Sequence, residues 1–165
     1  MTRAIAPAFL AAWILAIAAA SIAGALIFEA LGYQPCELCL KERIPYYAAM
    51  PAAGFALLFA ARGKRSLTRT AFVVLALVFS ASAVFGTYHA GIEWGFWPGP
   101  QECSGTLERA RSAADFLAQL QNTKVVRCDA APIRIIGLSL AGWNVVISAG
   151  LAALAVAGVC ARRQN

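Results

Sequence analysis

The chain has 165 residues, of which 61% are hydrophobic and 13% charged, with a formal net charge of +6. Soluble domains carry about 25% charged residues, so this composition and a mean hydropathy of +0.68 exclude an ordinary water-soluble fold. The basic excess is scattered over short segments rather than gathered in one patch, which argues against nucleic-acid binding.

Four apolar stretches approach the ~20 residues that span ~30 Å of hydrocarbon. They run over residues 8–28, 44–61, 70–88 and 138–160. The expected fold is an all-α, four-transmembrane-helix bundle, with residues 1–165 forming a single membrane domain and outer loops at 29–43 and 89–137. In the first stretch, Arg3 and the run Ala18-Ala19-Ala20 have the look of a signal peptide. The apolar run continues to Phe28, beyond the roughly 7–15 residues of a signal core, so it is read as a retained helix.

Gly32 and Pro35 punctuate the first outer loop, and Pro35 suits the first position of a helix. A helix starting there sets Cys36 and Cys39 at i and i+3, with Arg43 at i+4 from Cys39. Pro45 either kinks this helix or opens a new one. In both cases the cysteines lie near a helix amino end, where the dipole favours a thiolate.

Residues 62–66 form a turn too short for anything but adjacent, antiparallel second and third spans. Ser80, Ser82 and Gly86 are small residues that permit close helix approach. Beyond the third span, Trp94, Phe96 and Trp97 followed by Pro98-Gly99-Pro100 read as an interfacial aromatic belt ending in a turn. Between Ser104 and Gln121, Ser112 and Asp115 mark a helix start, and Ala113, Phe116, Leu117 and Leu120 make one narrow apolar face. That pattern predicts a short interfacial helix in the second outer loop.

Orientation follows from the basic residues. Arg3, Arg62, Lys64, Arg65, Arg69, Arg162 and Arg163 lie on one side with no acid among them. Short loops rich in Arg and Lys mark the cytoplasmic face. Both termini are therefore expected inside, with Cys36, Cys39, Cys103 and Cys128 on the outer, oxidising side, where disulfides persist. Cys160, near the inner end of the last span, is expected to be a reduced thiol, buried or facing inward, with a packing role.

Cys103 and Cys128 bracket 24 residues of hydrophilic loop. They are either a structural brace or a reducible bridge open to a soluble partner. Cys36 and Cys39 sit at the lipid boundary, in reach of a membrane-dissolved oxidant. Arg43 is either a snorkelling anchor or a permanent positive charge beside a thiolate and a developing oxyanion. His89, the only histidine, is either a satisfied interfacial residue or a functional one. The spacing of Cys103 and Cys128 does not match a zinc site, and no C-x-x-C-H for haem is present.

Residues Cys36 to Arg43 read C-E-L-C-L-K-E-R, which resembles the C-x-L-C-x-x-E-R signature of the bacterial disulfide bond formation protein B (DsbB) family. The later cysteine pair and the stretch I-G-L-S-L-A-G-W from Ile136 to Trp143 are similar to that family as well. The resemblance covers nearly the whole chain. It implies a protein-disulfide:quinone oxidoreductase of the bacterial inner membrane that reoxidises a DsbA-type periplasmic thiol oxidase. Electrons would pass to a membrane quinone, either ubiquinone or menaquinone, with no metal.

By the same resemblance, Cys36 and Cys39 form the quinone-proximal disulfide, Cys39 is the thiolate in contact with quinone, and Arg43 supports it. His89 aligns approximately with a histidine near the quinone. Cys103 is attacked by the reduced partner and Cys128 relays electrons to the inner pair. Leu140-Ala141 stands where many members carry Met-Pro, a departure at the quinone-facing start of the last span. Two other readings are a non-enzymatic membrane scaffold braced by two disulfides and a vitamin K epoxide reductase-like thiol–quinone enzyme. In the latter family the quinone-side C-x-x-C lies in a late helix.

Overall fold

The computed structural model describes residues 5–100, 112 and 127–161. Four helices, α1 (Ile5–Ala30), α2 (Glu37–Ala61), α3 (Arg65–Glu93) and α4 (Leu140–Cys160), are each long and apolar enough to cross a membrane. A two-residue hairpin, β1 (Arg134–Ile135) and β2 (Leu138–Ser139), precedes α4. This is the expected all-α membrane bundle. The interfacial helix expected at 104–121 lies outside the described residues, apart from Ser112.

The buried positions explain why the helices pack. Ala11, Ile14, Ala18 and Ile22 of α1 recur at spacings of three, four and four, and Ala49, Ala53, Ala56 and Ala60 of α2 at alternating spacings of four and three. Phe72, Leu75, Phe79, Ser82, Gly86 and His89 continue the rule on α3, and Asn144, Ser148, Leu151, Ala155 and Gly158 on α4. A 3.5-residue period keeps one narrow seam turned toward the neighbouring helices. The helices close a ring in which each packs on the next and α4 returns to α1. Residues such as Leu26, Phe55, Leu77 and Val84 remain exposed on the outside, as lipid requires.

Lipid gives no hydrophobic reason for helices to associate, so close packing and interhelical hydrogen bonds must hold them. A Cβ on Gly86 would lie 2.9 Å from Asn144 Nδ2, and one on Gly158 would collide with the Phe72 ring. These two glycines let α3 and α4 approach closely. Between them runs a buried polar chain. The Tyr46 hydroxyl donates to Asn144 Oδ1 at 2.7 Å and lies 2.9 Å from Ser148 Oγ, which is 3.0 Å from Ser82 Oγ. The chain joins α2, α3 and α4 and satisfies groups that lipid would leave unpaired.

One open choice is decided and one boundary differs from expectation. α2 begins at Glu37, close to the start expected at Pro35, and runs unbroken through Pro45 and Pro51, so Pro45 does not open a new helix. Its start is fixed by Cys36, whose extended backbone and sulfur make it the N-cap, with Sγ accepting the Cys39 N–H at 3.2 Å. At the last span, residues 138–139 belong to β2, because Ile136 (φ 53°) and Gly137 (φ 81°) both adopt left-handed backbone and turn the chain. Two successive residues of that kind make the hairpin turn whose twist suits paired strands. Ser139 then caps α4 by accepting the Gly142 N–H at 3.1 Å, and Trp143 Nε1 donates to the Ile135 carbonyl at 2.9 Å.

Candidate functional site

The end of the bundle where α2 begins and α3 ends holds a second buried cluster, separate from the main seam. Cys36, Leu38, Ile92 and Cys128 form it, with Cys39 and Phe85 packed alongside. The helix start at Glu37 decides which side chains converge here. Cys36 caps α2, Cys39 sits in its first turn, and Glu42 and Arg43 follow one turn on. From α3, His89 and Glu93 lie one turn apart at the same level. Cys128, only 2% exposed, enters from the segment that precedes β1.

Three of these groups form a continuous polar line across the α2–α3 interface. Glu42 Oε1 lies 2.9 Å from His89 Nδ1, and His89 Nε2 lies 3.6 Å from Cys36 Sγ. His89 is 1% exposed and Glu42 8%. With the carboxylate accepting from Nδ1–H, the other ring nitrogen is turned to the sulfur, the arrangement in which an imidazole exchanges a proton with a thiol.

Cys36, Cys39 and Cys160 carry free thiols, whereas Cys128 is disulfide-bonded. The Cys36 thiol is held down to about 5 from an ordinary value of 9.0. The Cys39 side chain beside it contributes most, followed by His89 and the Cys39 amide, while burial pushes the other way. A sulfur at a helix amino end with hydrogen-bond donors around it is the setting that stabilises a thiolate. The sulfurs of Cys36 and Cys39 and a ring nitrogen of His89 lie within 4.8 Å of one another, three donors of the type zinc accepts. A closed structural site takes four, and the neighbouring Cys128 sulfur is engaged in its disulfide.

Two cavities meet at this cluster. The larger, about 320 Å³, lies among α1, α2 and α4, with walls that include Ile22, Phe28, Arg43, Tyr46 and Ile147. The smaller, about 230 Å³, is lined by Cys36, His89, Arg127 and Cys128 among others. Cys39 and Glu93 line both. At the mouth of the larger cavity, Arg43 Nη1 donates to Glu29 Oε2 at 2.8 Å, tying α2 to the end of α1.

Of the residues singled out in the sequence, Cys36, Cys39, His89 and Cys128 are thus brought together, and Arg43 lines the larger cavity. His89 lines the smaller cavity rather than the larger. Cys103 lies outside the described residues. Cys160 is exposed at the end of α4, far from the cluster in sequence and element. Sequence reasoning passed over Glu42, Tyr46, Glu93 and Asn144. The available signal was the presence of carboxyl and amide side chains inside apolar helices, which marks function by default.

A family model described as disulfide bond formation protein DsbB matches residues 7–158. The chain belongs to the DsbB family. It is 31% identical over 150 residues to the disulfide bond formation protein B of Acidovorax sp. (strain JS42), covering 81% of this chain and 78% of that protein. It is also 26% identical over 118 residues to the uncharacterized protein RP370 of Rickettsia prowazekii (strain Madrid E), covering 70% of this chain and 66% of that protein. No solved structure matches the chain significantly. DsbB membership places it among multi-pass membrane thiol oxidoreductases of disulfide bond formation.

Proposed function

We propose that this chain passes electrons from a soluble periplasmic dithiol oxidase of the DsbA type, through two cysteine pairs, to a quinone held in the larger cavity. The single observation that carries the reading is the position of Cys39 on the wall between two cavities. On one side lie Cys36 and the disulfide-bonded Cys128, and on the other lies an apolar slot bordered by Arg43.

The larger cavity fits a quinone. Its volume of about 320 Å³ is within the usual range for small-molecule sites, and its mostly apolar walls with few polar groups are the usual lining. Arg43 presents hydrogen-bond donors to an acceptor oxygen. Two polar atoms of lining residues, Glu93 Oε2 and Asn144 Nδ2, are buried without a hydrogen-bond partner among the described residues. A bound quinone supplies a two-electron, two-proton acceptor at this point.

The protein's own residues then have distinct tasks. Cys103, the remaining cysteine of the chain, pairs with Cys128 and meets the reduced partner. Thiol–disulfide exchange carries the electrons to Cys36 and Cys39. In that reduced inner pair, the Cys36 sulfur accepts the proton of Cys39 and hands it toward His89, whose ring Glu42 orients. Cys39 is left as the sulfur facing the acceptor, and Arg43 stabilises negative charge developing there. Both termini lie on the cytoplasmic side of the inner membrane and the cysteine pairs in the periplasm, a topology supported by the seven basic residues of the inner segments.

The test mixes purified protein, a reduced DsbA-type oxidase and a short-chain ubiquinone or menaquinone, and follows quinone absorbance. Wild type turns over, and Cys36→Ser, Cys39→Ser, Cys103→Ser and Cys128→Ser each abolish turnover. Full turnover in Cys36→Ser or Cys39→Ser would overturn the proposal.

A further inference from the structure

Reducing a quinone to a quinol takes two protons as well as two electrons, and the cavity that receives the electrons is walled largely by apolar side chains. Protons therefore need a carrier that reaches it. Arg43 cannot serve, because a guanidinium does not give up its proton in proteins. His89 lines only the smaller cavity, whereas Glu42 and Tyr46 line only the larger one and are engaged there, Glu42 with His89 and Tyr46 with Asn144.

Glu93 has the right placement. It is the last residue of α3, one turn beyond His89, and it lines both cavities, as Cys39 does. One of its oxygens, Oε2, is buried and has no hydrogen-bond partner among the described residues, while Ser139, the cap of α4, reaches its carboxyl group. A buried carboxyl oxygen with no partner is stable only when a proton or an arriving ligand compensates it. A structural carboxylate would instead be paired, as Glu42 is with His89 and Glu29 with Arg43.

Building on the quinone reading above, we infer that Glu93 is the residue that carries protons from the cysteine side of the site to the quinone side. The exchange balances without an added reagent. Oxidation of the Cys36 and Cys39 thiols to one disulfide releases two electrons and two protons, and formation of one quinol consumes both. Glu93 gives the proton on its carboxyl group to the acceptor oxygen in the larger cavity. It is reprotonated from the smaller cavity, where His89 receives in turn the protons that leave the two thiols. Electrons go through Cys39 and protons through Glu93; of the four residues that line both chambers, the other two, Gln34 and Pro132, carry neither a thiol nor a transferable proton.

The experiment uses the full-length protein in nanodiscs with Glu93→Gln and Glu93→Asp. Glutamine keeps the size and hydrogen bonding but holds no transferable proton. Glu93→Gln is expected to bind a short-chain ubiquinone with unchanged affinity and to accept electrons from the reduced partner, yet to form quinol about 100-fold more slowly, the usual scale for a lost acid–base group. Glu93→Asp restores a substantial part of the rate. Independently of turnover, the redox difference infrared spectrum of the wild type contains a carboxyl C=O band that Glu93→Gln removes. Wild-type quinol formation in Glu93→Gln, a loss of quinone affinity in place of the rate loss, or a spectrum without such a band overturns the inference. If the variant fails to fold, the wild-type band, assigned by selective glutamate labelling, still decides. Absence of quinone reduction by the wild type itself would instead refute the proposed function.

Discussion

His89 Nε2 faces Cys36 Sγ at 3.6 Å across the α2–α3 interface, with the far side of the ring held by Glu42 at 2.9 Å. The Cys36 sulfur is thereby connected to an acid–base pair buried inside the bundle. The ordinary thiol value of 9.0 falls to about 5 for Cys36, so the folded protein holds this thiolate from about pH 5 upward. Peptide-resolved alkylation of the reduced protein should find Cys36 near its maximal rate at pH 7. The rate should fall about tenfold per unit below about pH 5 as the thiolate is protonated. His89→Gln should move the profile to higher pH, and a wild-type profile that rises only near pH 9 would contradict the assignment.

Glu42 acts on Cys36 through His89, so its removal should be visible at the sulfur. Glu42→Gln replaces a charged hydrogen bond with a neutral one at a buried site, a loss of about 1 kcal/mol, the difference between the two kinds of bond. Thermal unfolding in detergent should drop accordingly, and the Cys36 alkylation profile should shift upward as in His89→Gln. An unchanged profile would separate Glu42 from the sulfur chemistry and leave it a packing role.

Arg43 borders the larger cavity and is paired with Glu29 at 2.8 Å. Arg43→Ala should raise the quinone KM about tenfold or more, equivalent to ~1.4 kcal/mol, while exchange between the reduced partner and the cysteine pairs continues. Stopped-flow kinetics with quinone varied at fixed partner concentration distinguishes this from a loss of thiol exchange.

Close approach of α3 and α4 depends on absent side chains. Gly158→Val would drive a methyl group into the Phe72 ring, and Gly86→Val would press on Asn144 and Val145. Each should cost about 1–3 kcal/mol of stability. Gly150→Ala, at a position with open space around it, should be neutral by the same thermal assay.

Cys160 is an exposed free thiol at the end of α4. Cys160→Ser should leave turnover of the reduced partner unchanged, whereas loss of activity would require a path for electrons that the cluster at the other end of the bundle does not provide.

Hydropathy and charge are properties of neighbouring residues, so the four spans, the expected orientation and the two cysteine pairs were legible in the chain itself. Cys36, Cys39 and Arg43 could be placed on one helix because three- and four-residue spacings are local geometry. The unbroken course of α2 could not be read, because a proline at position 45 allows either a kink or a new helix, and packing against the neighbouring helices carries α2 through Pro45 and Pro51. The pairing of Glu42 with His89, 47 positions apart, and the sharing of Cys39 and Glu93 between two cavities exist only once α1, α2, α3 and α4 are packed together. Packing distances between helices are set by which residues are small enough to let backbones meet, and those contacts are made across the bundle rather than along the chain.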